Sequence, residues 1–170
     1  MSLPLIPFPS HPPCAPARRP CVVVWDQPLY KRTKNATTAL DVTQKWVWFS
    51  PVRGYGSADS YGRYVHEWVP HTKLHLLDVS SEDRTWIARE LGLTADRVNC
   101  DEQYSGGLPN IQFHDAIDPI LVSMGLDGTF ALEQDPSVAE DGTCGVSEIV
   151  LGLSSIRNSL RYTGNITIVK

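Results

Sequence analysis

Cysteine is scarce and scattered in this chain. Cys14, Cys21, Cys100 and Cys144 form no C-x-x-C pair and have no histidine at zinc-finger spacing, which argues against a structural metal site and leaves buried or incidental thiols. Long apolar runs are missing too. No stretch approaches the roughly 20 apolar residues that span a bilayer, so no membrane partner is expected. The N-terminal segment lacks a basic n-region and is broken by prolines, which makes it a poor signal peptide. An intracellular, cytoplasmic protein is the resulting expectation, with the sequons at Asn35 and Asn165 carrying no sugar. Positive charge is also in short supply: the formal net charge of −4 disfavours general nucleic-acid or anionic-membrane binding. A local basic cleft is still compatible with it. There is no internal repeat.

What is present suits a folded domain. A length of 170 residues, 42% of them apolar, is enough to bury a core without a disulfide or metal staple. The first 20 residues hold seven prolines, which remove backbone donors and favour extended chain. Residues 1–20 therefore read as a mobile tail, with docking to a proline-recognising partner as a lesser reading, and residues 21–170 as a single domain. The β-branched run in "CVVVWDQPLYKRT" predicts a buried strand and, after Pro28, a second strand "LYKRT". "KWVWFS" predicts a strand ending at Pro51. Gly54 and Gly56 supply a turn, and Ser57 caps a short helix with Ala58, Tyr61 and Val65 on related faces.

"KLHLLDV" reads as a strand, and "SSEDRTWIARELG" as a helix with a serine N-cap and Gly92 as its stop. A small helix "TADRVN" and the loop "DEQYSGGLPN" follow. Asp118 and Pro119 then read as N-cap and first helical residue of "PILVSM", stopped by Gly125. "GTFALE" is followed by an acidic loop from Gln134 to Gly142 and the strand "VSEIVLGL", and "SLRYT" and "NITIV" form a closing pair about Gly164. Strands outnumber short helices, so the fold class is α+β.

Three segments, in order, resemble the ADP-ribosyltransferase fold of diphtheria-type toxins and poly(ADP-ribose) polymerases. "LYKRT" resembles its opening strand, with Tyr30 as the aromatic, Lys31 at the family's His or Arg position, Arg32 at its Gly position and Thr33 at its Ser or Thr. "VWFSPVRGYGSADSYGRYV" resembles the strand of aromatic and small residues, Phe49 and Ser50, followed by the helix tyrosine, Tyr61, that closes a nicotinamide pocket. "MGLDGTF" and then "SEIVL" resemble the late turn and the strand bearing the catalytic acid, Glu148. Val146 stands where an arginine-specific member carries a second acid.

The resemblance implies two small twisted sheets forming an NAD-binding cleft. It implies NAD as the cofactor that is consumed, Glu148 as the catalytic acid, and Lys31, Arg32, Thr33, Phe49, Ser50 and Tyr61 as cofactor-binding residues. ADP-ribose would pass to an unknown macromolecular acceptor, expected to be a protein, or to water. Such chemistry has a physical rationale. Cleaving the bond between ribose and nicotinamide develops oxocarbenium charge, which a carboxylate stabilises in the transition state. A flat cationic ring favours an aromatic wall of Trp48 or Phe49 with Tyr61. Successive strand residues point to opposite faces, so only one of Lys31 and Arg32 is expected in the cleft.

The plainer readings are an aromatic strand that is simply core, charges that blunt an edge strand, and a solvated glutamate. His66, His71, His75 and His114 share no spacing that suggests a metal or a triad, and read as surface or satisfied residues. A catalytically silent nucleotide- or protein-binding domain of the same fold is the rival function, and a small interaction protein with a docking tail is the third. A mobile tail should matter little to stability. Deleting residues 1–20 is expected to change the unfolding free energy by less than about 0.5 kcal/mol, the scale of surface changes outside any core. A denaturant titration of both chains checks it, and a larger loss would mean a packed tail.

Overall fold

The computed structural model describes residues 21–53, 61–79, 111–132 and 147–170. Eight strands and two helices run through them: β1 (Val22–Trp25), β2 (Leu29–Thr33), β3 (Trp46–Phe49), β4 (Tyr64–Pro70), β5 (Leu74–Asp78), α1 (Ile111–Met124), β6 (Gly128–Leu132), β7 (Ser147–Gly152), α2 (Leu153–Ser159) and β8 (Leu160–Ile168). Two small sheets result, one ordered β1-β5-β6-β7-β3 and the other β2-β4-β8. All described pairs are antiparallel except β5 with β6, whose parallel crossover contains α1. The mixed, sheet-dominated α+β class is as expected. The tail, the turn and helix cap at 54–58, and the segments at 80–110, including "SSEDRTWIARELG", "TADRVN" and "DEQYSGGLPN", lie outside the described residues.

Strand alternation divides the five-stranded sheet into two cores. One face presents Trp46, Leu77, Ala131 and Val150 to Phe113, Ile117 and Leu121 of α1. The other presents Val47, Phe49, Leu76, Ile149 and Leu151 to Leu29, Trp68, Ile156 and Leu160. The sheet is thus a shared middle layer, with α1 on one side and the three-stranded sheet with α2 on the other. At roughly 25 cal/mol per Å² of apolar surface, burial of these residues is the main force holding the layers together.

Several boundaries differ from expectation. The Val22–Trp25 strand is an edge strand rather than a buried one, and Val24 is 53% exposed. Helix α1 begins at Ile111, eight residues before the expected start, and carries Pro119 in its interior. The apolar residues Phe113, Ile117 and Leu121, four apart, keep one face buried, while exposed Pro119 puts its missing donor on the solvent side. Asp118 is therefore mid-helix, and its carboxylate pairs with Lys45 at 2.7 Å. Val65 belongs to β4, not to the helix expected to carry Tyr61. Helix α2 has no counterpart among the expected elements.

Residues 160–168 form one continuous strand instead of a hairpin about Gly164. The register with β4 shifts between His66 and Trp68, where Thr163 to Asn165 bulge out. Gly164 sits there at φ 81 with open space around it. Thr163 donates its hydroxyl to the Glu67 carbonyl at 3.1 Å, and Asn165 Nδ2 donates to the Glu67 carboxylate at 2.9 Å, fixing the bulge.

Gly62 is the tighter constraint. It has φ 97, and a Cβ there would collide with the Thr33 carbonyl at the end of β2. Gly62→Ala is therefore expected to lose at least about 2 kcal/mol, combining left-handed strain with the clash. Gly164→Ala should lose only about 1 kcal/mol from strain alone. Chemical denaturation of both variants checks the order, and equal losses would contradict the close approach at Thr33.

Candidate functional site

The two sheets touch where β2 meets the end of β3. Tyr30 N donates to Ser50 O at 2.8 Å and Ser50 N donates to Tyr30 O at 2.9 Å, an isolated antiparallel bridge. Beside that bridge opens a cleft of about 260 Å³, lined by Tyr30, Lys31, Arg32, Trp48, Phe49, Ser50, Val52, Tyr61 and Glu148. Six of the seven residues singled out from sequence lie on it: Lys31, Arg32, Phe49, Ser50, Tyr61 and Glu148. They come from four separate stretches of chain. Thr33 does not line it.

Each side chain has a local reason for its place. Phe49 is buried, with its ring edge-on to Trp68 at a centroid distance of 6.2 Å, so it is core and cleft floor together. Trp48, one residue earlier, faces the α1 layer and meets the His114 ring edge-on at 5.5 Å. Ser50 is turned to structure: its hydroxyl donates to Val52 O and accepts from Val52 N, each at 2.9 Å, which shapes the rim. Tyr61 is 45% exposed at the cleft mouth. Glu148 shares its strand face with Val150 and sits opposite Ala131 in β6.

The two cations of "LYKRT" divide their work, yet both line the cleft. Their side chains leave opposite faces of β2, an edge strand of the three-stranded sheet, and that of Arg32 is taken up by a backbone partner. Arg32 Nε donates to the Gly62 carbonyl at 2.9 Å, which ties β2 to the backbone just after Tyr61. Lys31 instead lies on the same cleft lining as Glu148 and in the field of its carboxylate. Burial pushes its pKa below the ordinary lysine value, while the negative charges of Glu148 and then Asp41 pull it partly back.

Thr33 belongs to a buried network behind the cleft. Its hydroxyl donates to Asn35 O at 2.6 Å, so at 2.9 Å from His66 Nε2 the same oxygen accepts. His66 therefore carries its proton on Nε2, and its Nδ1 accepts the Tyr162 hydroxyl at 2.8 Å. Burial lowers the His66 pKa, in keeping with this neutral form. His114 is likewise buried and bonded, 2.7 Å from Thr129 Oγ1, whereas His71 and His75 are exposed. The turn of "MGLDGTF" is tied down by structure, with Asp127 Oδ2 accepting from His75 N at 2.8 Å.

Sequence reasoning missed Asp41 and the His66–Tyr162 pair. Asp41 is held by local bonds from Thr43 in a loop whose nearness to Lys31 is not local, and the His66–Tyr162 pair depends on strand register. Among the described residues no group of His, Cys, Asp or Glu is arranged to hold a metal, and Cys21 is exposed rather than buried. No described helix is long and apolar enough to cross a membrane. Compared with known proteins, the chain matches no family model, no curated protein and no solved structure.

The Lys31 environment fixes the sign of a titration experiment. Because the folded pKa lies below the unfolded one, stability rises with pH from the folded value up to the ordinary lysine value of 10.5. Glu148→Gln removes the stronger of the two negative charges that hold the Lys31 pKa up, so Lys31 is expected to titrate at lower pH in the variant than in the wild type. Nitrogen-detected NMR of the lysine side chains reads both midpoints, and an unchanged or higher midpoint would mean the two groups are not coupled.

Proposed function

We propose that the protein is an ADP-ribosyltransferase that uses NAD and passes ADP-ribose to a macromolecular acceptor or to water. The observation that carries this reading is the meeting of Lys31, Arg32, Phe49, Ser50, Tyr61 and Glu148 on one cleft. The cavity lies just below the roughly 300–1,000 Å³ usual for small-molecule sites, so it suits a ring and its sugar rather than a whole dinucleotide.

Each role follows from the side chain. Trp48, Phe49 and Tyr61 offer aromatic surface to a flat cationic ring. Glu148 supplies negative charge where the sugar becomes cationic as the bond to nicotinamide breaks, and it is positioned before the reaction begins. Arg32, held by the Gly62 carbonyl, keeps the Tyr61 turn in register with β2. Lys31 brings positive charge for the phosphate side of the substrate.

A silent binding domain draws support from one specific feature. Lys31 already sits in the field of Glu148, so the carboxylate is partly compensated before any substrate arrives. Glu148→Gln separates the two readings. It preserves shape and hydrogen bonding but removes charge, so NAD affinity should hold while nicotinamide release falls at least about a hundredfold. Calorimetry with NAD and a nicotinamide-release assay, at equal folded concentration, provide the two numbers. Wild type that binds NAD without releasing nicotinamide would leave the silent reading, and unchanged turnover in the variant would remove Glu148 from the mechanism.

A further inference from the structure

The chain has five lysines, and they are not alike. Lys34, Lys45, Lys73 and Lys170 are exposed. Of the five, Lys31 is the one that lines the described cleft, partly buried on β2 with Glu148 of β7 on the same cavity. Its strand partner across β4 is His66, whose burial favours the neutral ring and so disfavours a second positive charge. The other charged or titratable groups around it are Arg32 and Tyr30 beside it on β2, Asp41 in the loop before β3, and Tyr61 at the mouth. An amine that is partly desolvated on a cleft that also holds a carboxylate has the ingredients of a carbonyl-capturing lysine: burial favours the free base, and the carboxylate is a group that can move protons.

We propose that Lys31 is an imine-forming amine, whose Nζ condenses with the aldehyde of a small open-chain sugar held against the aromatic wall of the cleft. The neutral amine adds to the carbonyl carbon, forming the C–N bond as the carbonyl π pair moves to oxygen and gives a carbinolamine after proton transfer. Nitrogen then expels the hydroxyl. The Glu148 carboxylate takes the proton that nitrogen sheds and returns it to the departing oxygen, so one water leaves and the imine remains. No oxidant or reductant takes part. The aromatic side chains give a sugar a surface to lie on, and the burial that lowers the Lys31 pKa raises the fraction of free amine. This activity goes beyond the ADP-ribosyl reading and does not require NAD.

The test uses the full chain with ribose 5-phosphate as the aldehyde probe and cyanoborohydride to trap any imine as a stable secondary amine. Peptide mass spectrometry then gives the rate of labelling at each of the five lysines, near neutral pH and again in alkaline buffer. Lys31 is expected to label at least about tenfold faster than any exposed lysine near neutral pH, with the advantage shrinking in alkali as the others lose their protons. The preference should vanish in denaturant. Lys31→Arg keeps the charge and cannot form an imine, so it should abolish labelling at that position; if the variant fails to fold, the wild-type preference and its loss in denaturant decide alone. Labelling of Lys31 at or below the rate of the exposed lysines would overturn the proposal, as would a preference that survives denaturation. Neither outcome bears on nicotinamide release, so failure here and failure of the NAD reading remain distinguishable.

Discussion

The architecture depends on two hydrogen bonds between Tyr30 and Ser50. They are the described backbone link between the three-stranded sheet and the end of β3, and they bring the Lys31 strand against β3, which in turn pairs with the strand that bears Glu148. Each bond is worth only about 1 kcal/mol net, so the bridge acts mainly as a register pin. The energy comes from the second core, where Leu29, Phe49, Trp68, Ile149 and Leu151 are removed from water together. A one-residue slip of β2 would turn Leu29 out of that core and send Lys31 to the opposite face of the strand.

That coupling explains why structural and functional residues are interleaved along the same strands. Phe49 is core by burial and cleft by position, and Ser50 spends its side chain on the rim at Val52 while its backbone makes the bridge. On β2, Leu29 anchors, Lys31 lines the cleft and Thr33 closes the His66 network. Arg32, on the alternate face, secures the turn after Tyr61. At Lys31 the fold works against solvation, since a lysine there is held against its desolvation cost by Glu148 and Asp41.

Much of this is legible in the sequence where side-chain periodicity carries the signal. "KWVWFS", "KLHLLDV", "GTFALE" and "VSEIVLGL" are strands because alternate residues serve two opposed cores, a pattern that local composition reports. Order within a sheet is not local. The valines of β1 look buried in sequence, yet the strand lies at an edge and Val22 and Val24 face solvent. Pro119 suggests a helix start because proline suits a first turn, and burial of Phe113 and Ile117 upstream outweighs that preference. Helix α2 has Gly152 at its N-cap with no side-chain bond, so nothing announces it. Gly164 marks a bulge instead of a turn because Glu67 holds both of its neighbours. For the site, short motifs name most of the lining, while Asp41 and the His66–Tyr162 contact, made between residues 96 apart, are out of reach.

If NAD occupies the cleft beside the Tyr30–Ser50 bridge, it must perturb the backbone there. Titrating NAD into isotope-labelled protein and following the amide shifts reads that directly. Saturable changes concentrated at residues 30–32, 48–50, 61 and 148 are the expected result. An absence of shifts, or shifts clustered on β1 or the exposed face of α1, would put NAD somewhere other than this cleft.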